Sequence, residues 1–241
     1  MNFKKSLALA AMMVLAAACS SNNNPGGDGG GGSDGGGGSD GSNPKDGNVK
    51  DTQPVDGNQG NMCPTPADVT NFKPGTMTPP HAKMTVCMAN DYTAYYDACF
   101  GAQATQTTCQ NWQMAHQTCL DCIESNASDL QWGAVILNGG VASVNVAGCL
   151  SLIGATACAK ATSDVDQCIG AACDTQCPVT DDASFQLYQQ CTSAADKGGC
   201  KSYSAAADAA CNVDANPALA QCQAADFKSL ILKVGPIFCG P

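Results

Sequence analysis

Arginine is absent from this chain of 241 residues, glutamate occurs once (Glu124), histidine twice (His81 and His116), and aromatic residues make up only 5%. With no Arg and a formal net charge of -10, the basic footprint that nucleic-acid binding requires is missing. HExxH, the P-loop and the dinucleotide fingerprint are absent as well, so the commonest metalloprotease, nucleotide-binding and hydride-transfer signatures are excluded. An enzyme made from these residues would have to work with Asp carboxylates. The N-terminal apolar run, Leu7 to Leu15, is too short to span a bilayer as a helix, which takes about 20 residues.

Cysteine, in contrast, is abundant: there are seventeen. The first, Cys19, follows MNFKKSLALAAMMVLAAA, in which Lys4 and Lys5 form a basic start, an apolar stretch follows, and small residues precede the Cys. That layout is a secretory signal peptide, residues 1–18, and predicts cleavage before Cys19. Leu15-Ala16-Ala17-Ala18-Cys19 resembles the lipobox of bacterial lipoproteins, which implies a diacylglycerol on the Cys19 thiol and an acylated new N-terminus. The pattern departs from the family at Ala16, where a large aliphatic residue is usual. One acyl chain binds a membrane marginally and two or three bind it stably, so the membrane becomes the first expected partner. Ser20 in place of an Asp points to the outer rather than the inner membrane.

Residues 19–61 then form the lipidated Cys and a tether almost entirely of Gly, Ser, Asn, Asp, Gln, Pro and Lys, with Val49 and Val55 as the only aliphatics after Cys19. Such a composition buries too little surface to offset its ordering entropy and predicts a disordered linker, with an end-to-end distance of about 35 Å. Two motif look-alikes fall inside it. The hexads from Gly29 and Gly35 copy the start of a calcium-binding nonapeptide but lack its period and its large apolar residue. Gly31 to Gly35 spells G-x-S-x-G without the strand and helix that a nucleophile elbow needs.

The remaining segment, 62–241, carries Cys63, Cys87, Cys99, Cys109, Cys119, Cys122, Cys149, Cys158, Cys168, Cys173, Cys177, Cys191, Cys200, Cys211, Cys222 and Cys239. Setting aside Cys19 leaves an even number, as a fully disulfide-bonded exported domain requires. The domain is rich in Ala and poor in large apolar side chains, so covalent links must replace part of a core; a 15-residue loop contributes about 3 kcal/mol. The spacings repeat: Cys99, Cys109, Cys119; Cys149, Cys158, Cys168; and Cys191, Cys200, Cys211, Cys222 lie nine to eleven apart. These predict an all-α domain of three diverged, disulfide-stapled helical hairpins starting near Tyr95, Val146 and Leu187.

Cys109, Trp112, His116, Cys119 and Ile123 lie on one face of a 3.6-residue helix. Two cysteines ten apart on a helix are about 15 Å apart and cannot bond each other, so each must reach a second element. A hairpin ladder of Cys99 with Cys109 and Cys87 with Cys119 meets that need, in the geometry also used by the twin C-x9-C hairpin proteins. Asn216-Pro217 and Asp181 or Asp182 are expected to cap helices, Gly198-Gly199 to turn between paired helices, and Thr65-Pro66 to start a short N-terminal helix. Two readings compete over Trp132 to Val146: a small β-hairpin across Asn138-Gly139, or a helix ending there with another starting near Ser143.

Several groups are candidates for chemistry. Cys119 and Cys122 form a C-x-x-C, but near the end of a periodic helix rather than at the N-terminus where a redox pair is activated. Cys168, Cys173 and Cys177, with Cys122 or His116, are numerous enough for zinc, although cysteines in an oxidising compartment become disulfides first. His116 reads as a packed histidine beside Trp112. Asp164, Asp166, Asp174, Asp181 and Asp182 read as helix caps and solvated surface before weak cation ligands. No catalytic residue, cofactor or metal set is assigned.

The lipobox-like start, the Gly/Ser/Asp tether, the segments WGAVILNGG, VAGCLSL and CAKA, and the C-x9-C spacings together resemble the uncharacterised cysteine-rich lipoproteins of myxobacteria and neighbouring lineages. That resemblance implies a lipid-anchored protein of the cell envelope, and the family carries no activity to transfer. The expected function is a non-catalytic binding or structural module with a protein or other envelope partner. The alternatives are a thiol redox or metal-handling protein using Cys119, Cys122, Cys168, Cys173 and Cys177, and an Asp-dependent hydrolase.

Overall fold

The computed structural model describes Cys63 and residues 65–240; the signal segment, Cys19 and the tether lie outside the described residues. The elements in chain order are helices α1 (Asp91–Cys99), α2 (Gln106–Ala115) and α3 (Gln117–Ile123), then strands β1 (Glu124–Asn126), β2 (Val135–Asn138) and β3 (Val141–Val144). Helices α4 (Val146–Leu152), α5 (Thr156–Cys173), α6 (Asp182–Lys197) and α7 (Lys201–Ala210) follow. A 3-10 helix (Pro217–Cys222) and α8 (Phe227–Cys239) complete the described chain.

α8 is the most apolar element, with Phe227, Leu230, Ile231, Val234 and Phe238 recurring every three or four residues and all buried. Its stripe packs on α1, α3, α4 and the 3-10 helix. At the α1 contact Tyr92 lies against Gly235, where a Cβ would come within 2.4 Å of Tyr92 Cδ1, and the Tyr92 hydroxyl donates to the Gly240 carbonyl. α5 is the second hub, contacting α4, α6 and α7 with a face of Cys158, Ala159, Val165, Cys168, Ile169 and Ala172. These side chains are small, and every half-cystine of the domain except Cys63 is buried. Sulfur fills much of the space that leucines would fill in an ordinary core.

Eight disulfides pair all sixteen cysteines: Cys63–Cys177, Cys87–Cys119, Cys99–Cys109, Cys122–Cys239, Cys149–Cys222, Cys158–Cys211, Cys168–Cys200 and Cys173–Cys191. The two rungs expected of the first hairpin, Cys99–Cys109 and Cys87–Cys119, are both present. The other two cysteine clusters do not close on themselves. Cys158 and Cys168 share α5, and both reach α7, at its Cys211 and Cys200 ends, so the second ladder joins the second cluster to the third. The physical reason is the length of α5: its 18 residues run straight through both cysteines, leaving no turn between them to fold back.

The domain is mostly helical but not all-α. Val135–Asn138 and Val141–Val144 pair antiparallel across Gly139-Gly140, with Gly139 at φ 60°, so the hairpin reading of residues 132–146 is the one adopted. β1 adds a third strand in parallel with β2. The short connection between them is held by Asp129, whose carboxylate accepts from the Asn126 N–H at 2.6 Å, and by Ser125, whose Oγ accepts from the Gly133 N–H at 3.0 Å. Gly133 passes so close to α3 that a Cβ would lie 2.6 Å from the Ile123 carbonyl oxygen.

Three helix expectations change. The periodic run Cys109 to Ile123 breaks at His116 (φ -127°, ψ 34°) into α2 and α3. Asn216 does cap a turn with Pro at its start, but as the 3-10 helix, and α8 begins separately with Asp226 as its cap. Thr65-Pro66 starts no helix. Residues 65–90 hold no α-helix or strand and lie across the domain instead: Ala67 N–H donates to Ala172 O, Tyr203 OH to Phe72 O, His81 N–H to Trp132 O, and Met84 and Cys87 N–H to the last carbonyls of α8. The bonds from Ala67, Met84 and Cys87 satisfy carbonyls at the ends of α5 and α8 that have no intrahelical partner. Asp181 caps α6 with Ser184, and Gly198-Gly199 turns into α7 as expected.

Candidate functional site

The two cysteines of Cys119-Leu-Asp-Cys122 belong to separate bridges, to Cys87 and to Cys239. Cys168, Cys173 and Cys177 likewise go to three different partners. The reason is local: the motif sits on α3, where one cysteine meets the irregular segment that precedes α1 and the other meets the end of α8. Among the described residues, two groups bring three metal-ligating side chains together, Cys63 with Cys177 and Cys191, and Asp91 with Cys87 and Cys119. In each, the sulfurs are held in disulfides and offer no thiolate.

His116 is packed against Trp112 as the helical spacing implied, its ring stacked at 4.6 Å between centroids and 8° between planes. Its Nδ1 lies 2.9 Å from the Trp112 carbonyl oxygen, and its Nε2 faces Asp91 Oδ1 at 3.9 Å. Asp91 Oδ2 accepts from the Met88 N–H at 2.7 Å. Beneath this pair, Tyr95 is fully buried and stands 5.1 Å from the Trp112 ring. The Tyr95 hydroxyl donates to Glu124 Oε1 at 2.6 Å. Burial raises the pKa of Glu124 above the ordinary value, against the opposing effect of hydrogen bonds from Tyr95 and Gln113. The one glutamate of the chain is thus a half-buried carboxylate at the junction of α3 and β1.

A second polar cluster ties three elements together. Asp174, at the end of α5, accepts from Tyr188 OH of α6 at 2.8 Å and from Asn138 Nδ2 of the β-hairpin at 3.2 Å. Burial raises the Asp174 pKa, and burial followed by the Asp174 charge raises that of Tyr188. The other acids of this region have separate tasks. Asp164 pairs with Lys160 at 2.7 Å, Asp181 caps α6, Asp182 lies in its first turn, and Asp166 lies near enough to Tyr188 for its charge to add to that of Asp174 in raising the tyrosine pKa. Cys19 lies outside the described residues. Among those described, no helix is long and apolar enough to cross a membrane.

Sequence reasoning found His116 with Trp112 but missed Asp91, Tyr95 and Glu124, which the ladder of α1 on α2 and α3 brings beside them. No spacing within a single helix connects these residues. Comparison with family models, with curated proteins and with solved structures finds no match to the chain.

Proposed function

We propose that this chain is a lipoprotein of the cell envelope, held by a diacylated Cys19 in the outer membrane, with residues 20–61 as a tether and the disulfide-stapled domain as a non-catalytic binding or structural module. One observation carries the reading: the sixteen cysteines after Cys19 pair with one another, so Cys19 is the odd one of the seventeen. A stray thiol in an exported protein would be open to mixed disulfides; acylation gives it a use and removes its reactivity. Bridges spread from Cys63 to Cys239 suit a part that must keep its shape far from the cytosol. The first ladder, Cys99–Cys109 with Cys87–Cys119, and the α5–α7 ladder, Cys158–Cys211 with Cys168–Cys200, each hold a pair of segments by two bridges ten or so residues apart, which supports a shared ancestral unit.

The redox or metal-handling alternative has less support, because its five cysteines are all buried and lie in five separate bridges. The Asp-hydrolase alternative has less again, because Asp181 caps a helix, Asp164 pairs with Lys160, and Asp174 has its oxygens taken by Tyr188 and Asn138. The test is the intact mass of the full chain exported by a diderm host, with thiol alkylation under native and denaturing conditions. The expected product has lost residues 1–18, lacks sixteen hydrogens, resists alkylation, gains lipid mass and partitions into detergent; Cys19→Ala abolishes the lipid and the partitioning. A mature chain that stays in the aqueous phase with an alkylatable Cys19 would overturn the anchoring. Alkylation of the domain cysteines would favour thiol chemistry.

A further inference from the structure

We propose that His116 and Asp91 form a surface binding site for a borderline divalent cation, of the Cu²⁺ and Zn²⁺ class. The argument begins with the imidazole tautomer. Nδ1 stands 2.9 Å from the Trp112 carbonyl, and a carbonyl can only accept, so Nδ1 carries the proton. Nε2 of the neutral ring is then a lone pair, and it faces Asp91 Oδ1, a second acceptor, at 3.9 Å. Two acceptors that face each other across such a gap are satisfied by a donor or a cation between them, and a metal ion can take both lone pairs at once where a water or a proton on Nε2 would otherwise stand.

Both ligands are oriented by their other atoms. The His116 ring is fixed by its Nδ1 hydrogen bond and by stacking on Trp112. Asp91 is fixed by the Met88 N–H on Oδ2, which leaves Oδ1 for the ion. A ligating histidine that donates its other nitrogen to a backbone carbonyl is the arrangement by which proteins set ring tautomer and basicity for a metal. Ligand bonds of about 2.0–2.2 Å in tetrahedral geometry place N and O about 3.4 Å apart, so a movement of about half an ångström closes the site. The pair is accessible, with 37% of the His116 side chain and 15% of that of Asp91 exposed. Water completes the shell. The neighbouring Cys87–Cys119 bridge keeps its sulfurs out of the set. An imidazole with one carboxylate and open positions suits Cu²⁺ and Zn²⁺ better than Ca²⁺ or Mg²⁺, which demand oxygen cages.

The proposal stands independently of the lipid anchor. The exported, fully oxidised chain is titrated with Cu²⁺ alone and with Zn²⁺ alone, without thiol reductant, by calorimetry and by tryptophan emission. One saturable site is expected, and Cu²⁺ there quenches Trp112 through the stacked ring. His116→Gln abolishes the site, Asp91→Asn weakens it by at least the about tenfold that loss of an outer partner costs, and His81→Gln leaves it intact. Intact disulfides and circular dichroism show that each variant has folded. No saturable site in the parent chain, or an unchanged site in His116→Gln, would overturn the proposal.

Discussion

Removing the Cys122–Cys239 bridge should destabilise the domain more than removing Cys99–Cys109, and the difference can be worked out from the connectivity. All four sulfurs are buried, so Cys→Ala at either pair deletes comparable contacts and leaves comparable cavities. What differs is the loop each bridge closes in the unfolded chain. Cys99–Cys109 closes 10 residues, for which the chain-entropy relation gives about 2.7 kcal/mol. Cys122 and Cys239 are 117 residues apart in sequence, but with the other bridges intact they are already connected through Cys149–Cys222. The effective loop is roughly 45 residues and the contribution about 4 kcal/mol. The two double-alanine variants should therefore differ by about 1.3 kcal/mol, close to tenfold in the folding equilibrium. Denaturant unfolding under oxidising conditions measures this, with the slope fitted freely because a released crosslink expands the unfolded state. Equal stabilities, or a less stable Cys99/Cys109 variant, would refute the nested-loop reasoning.

Two further perturbations test other parts of the fold. Gly235→Ala adds a methyl 2.4 Å from a buried Tyr92 ring carbon. The overpacking, about 1–3 kcal/mol, should outweigh the roughly 1 kcal/mol that alanine gains over glycine in a helix. Thermal unfolding should show a lower midpoint, and a raised one would mean that α1 and α8 are not in contact there. Glu124 has its pKa raised on folding, so the folded state holds its proton more tightly than the unfolded state. Its contribution therefore favours folding below the ordinary glutamate range and declines as pH rises through the raised value. Glu124→Gln should be more stable than the parent at neutral pH and should lose that part of the pH dependence. A pH series of melting curves in which the two proteins run parallel would remove the assignment.

Some features were legible because a single segment encodes them. Asp181 and Asn216-Pro217 announce helix starts through side chains that act within three residues, and Asn138-Gly139 marks the hairpin through backbone conformation alone. The first ladder was legible too, because Cys87, Cys99, Cys109 and Cys119 are neighbours in sequence and a helix forbids pairing along itself. β1 was not: Glu-Ser-Asn has no strand propensity, and it becomes a strand only because α3 delivers it beside β2. The break at His116 was equally hidden, since the apolar period of α2 continues unbroken into α3.

What the sequence by itself determined is the number of cysteines and their separation along helices, and hence that bridges must run between elements. It also determined the scarcity of large apolar side chains that makes those bridges necessary. Which cysteines pair across the domain, and which of Asp91, His116, Tyr95 and Glu124 come together, was decided only by the tertiary structure. Capping and periodicity act over a few residues, whereas these contacts join positions as far apart as Cys122 and Cys239, and the spacing along one helix carries no record of which helix lies opposite.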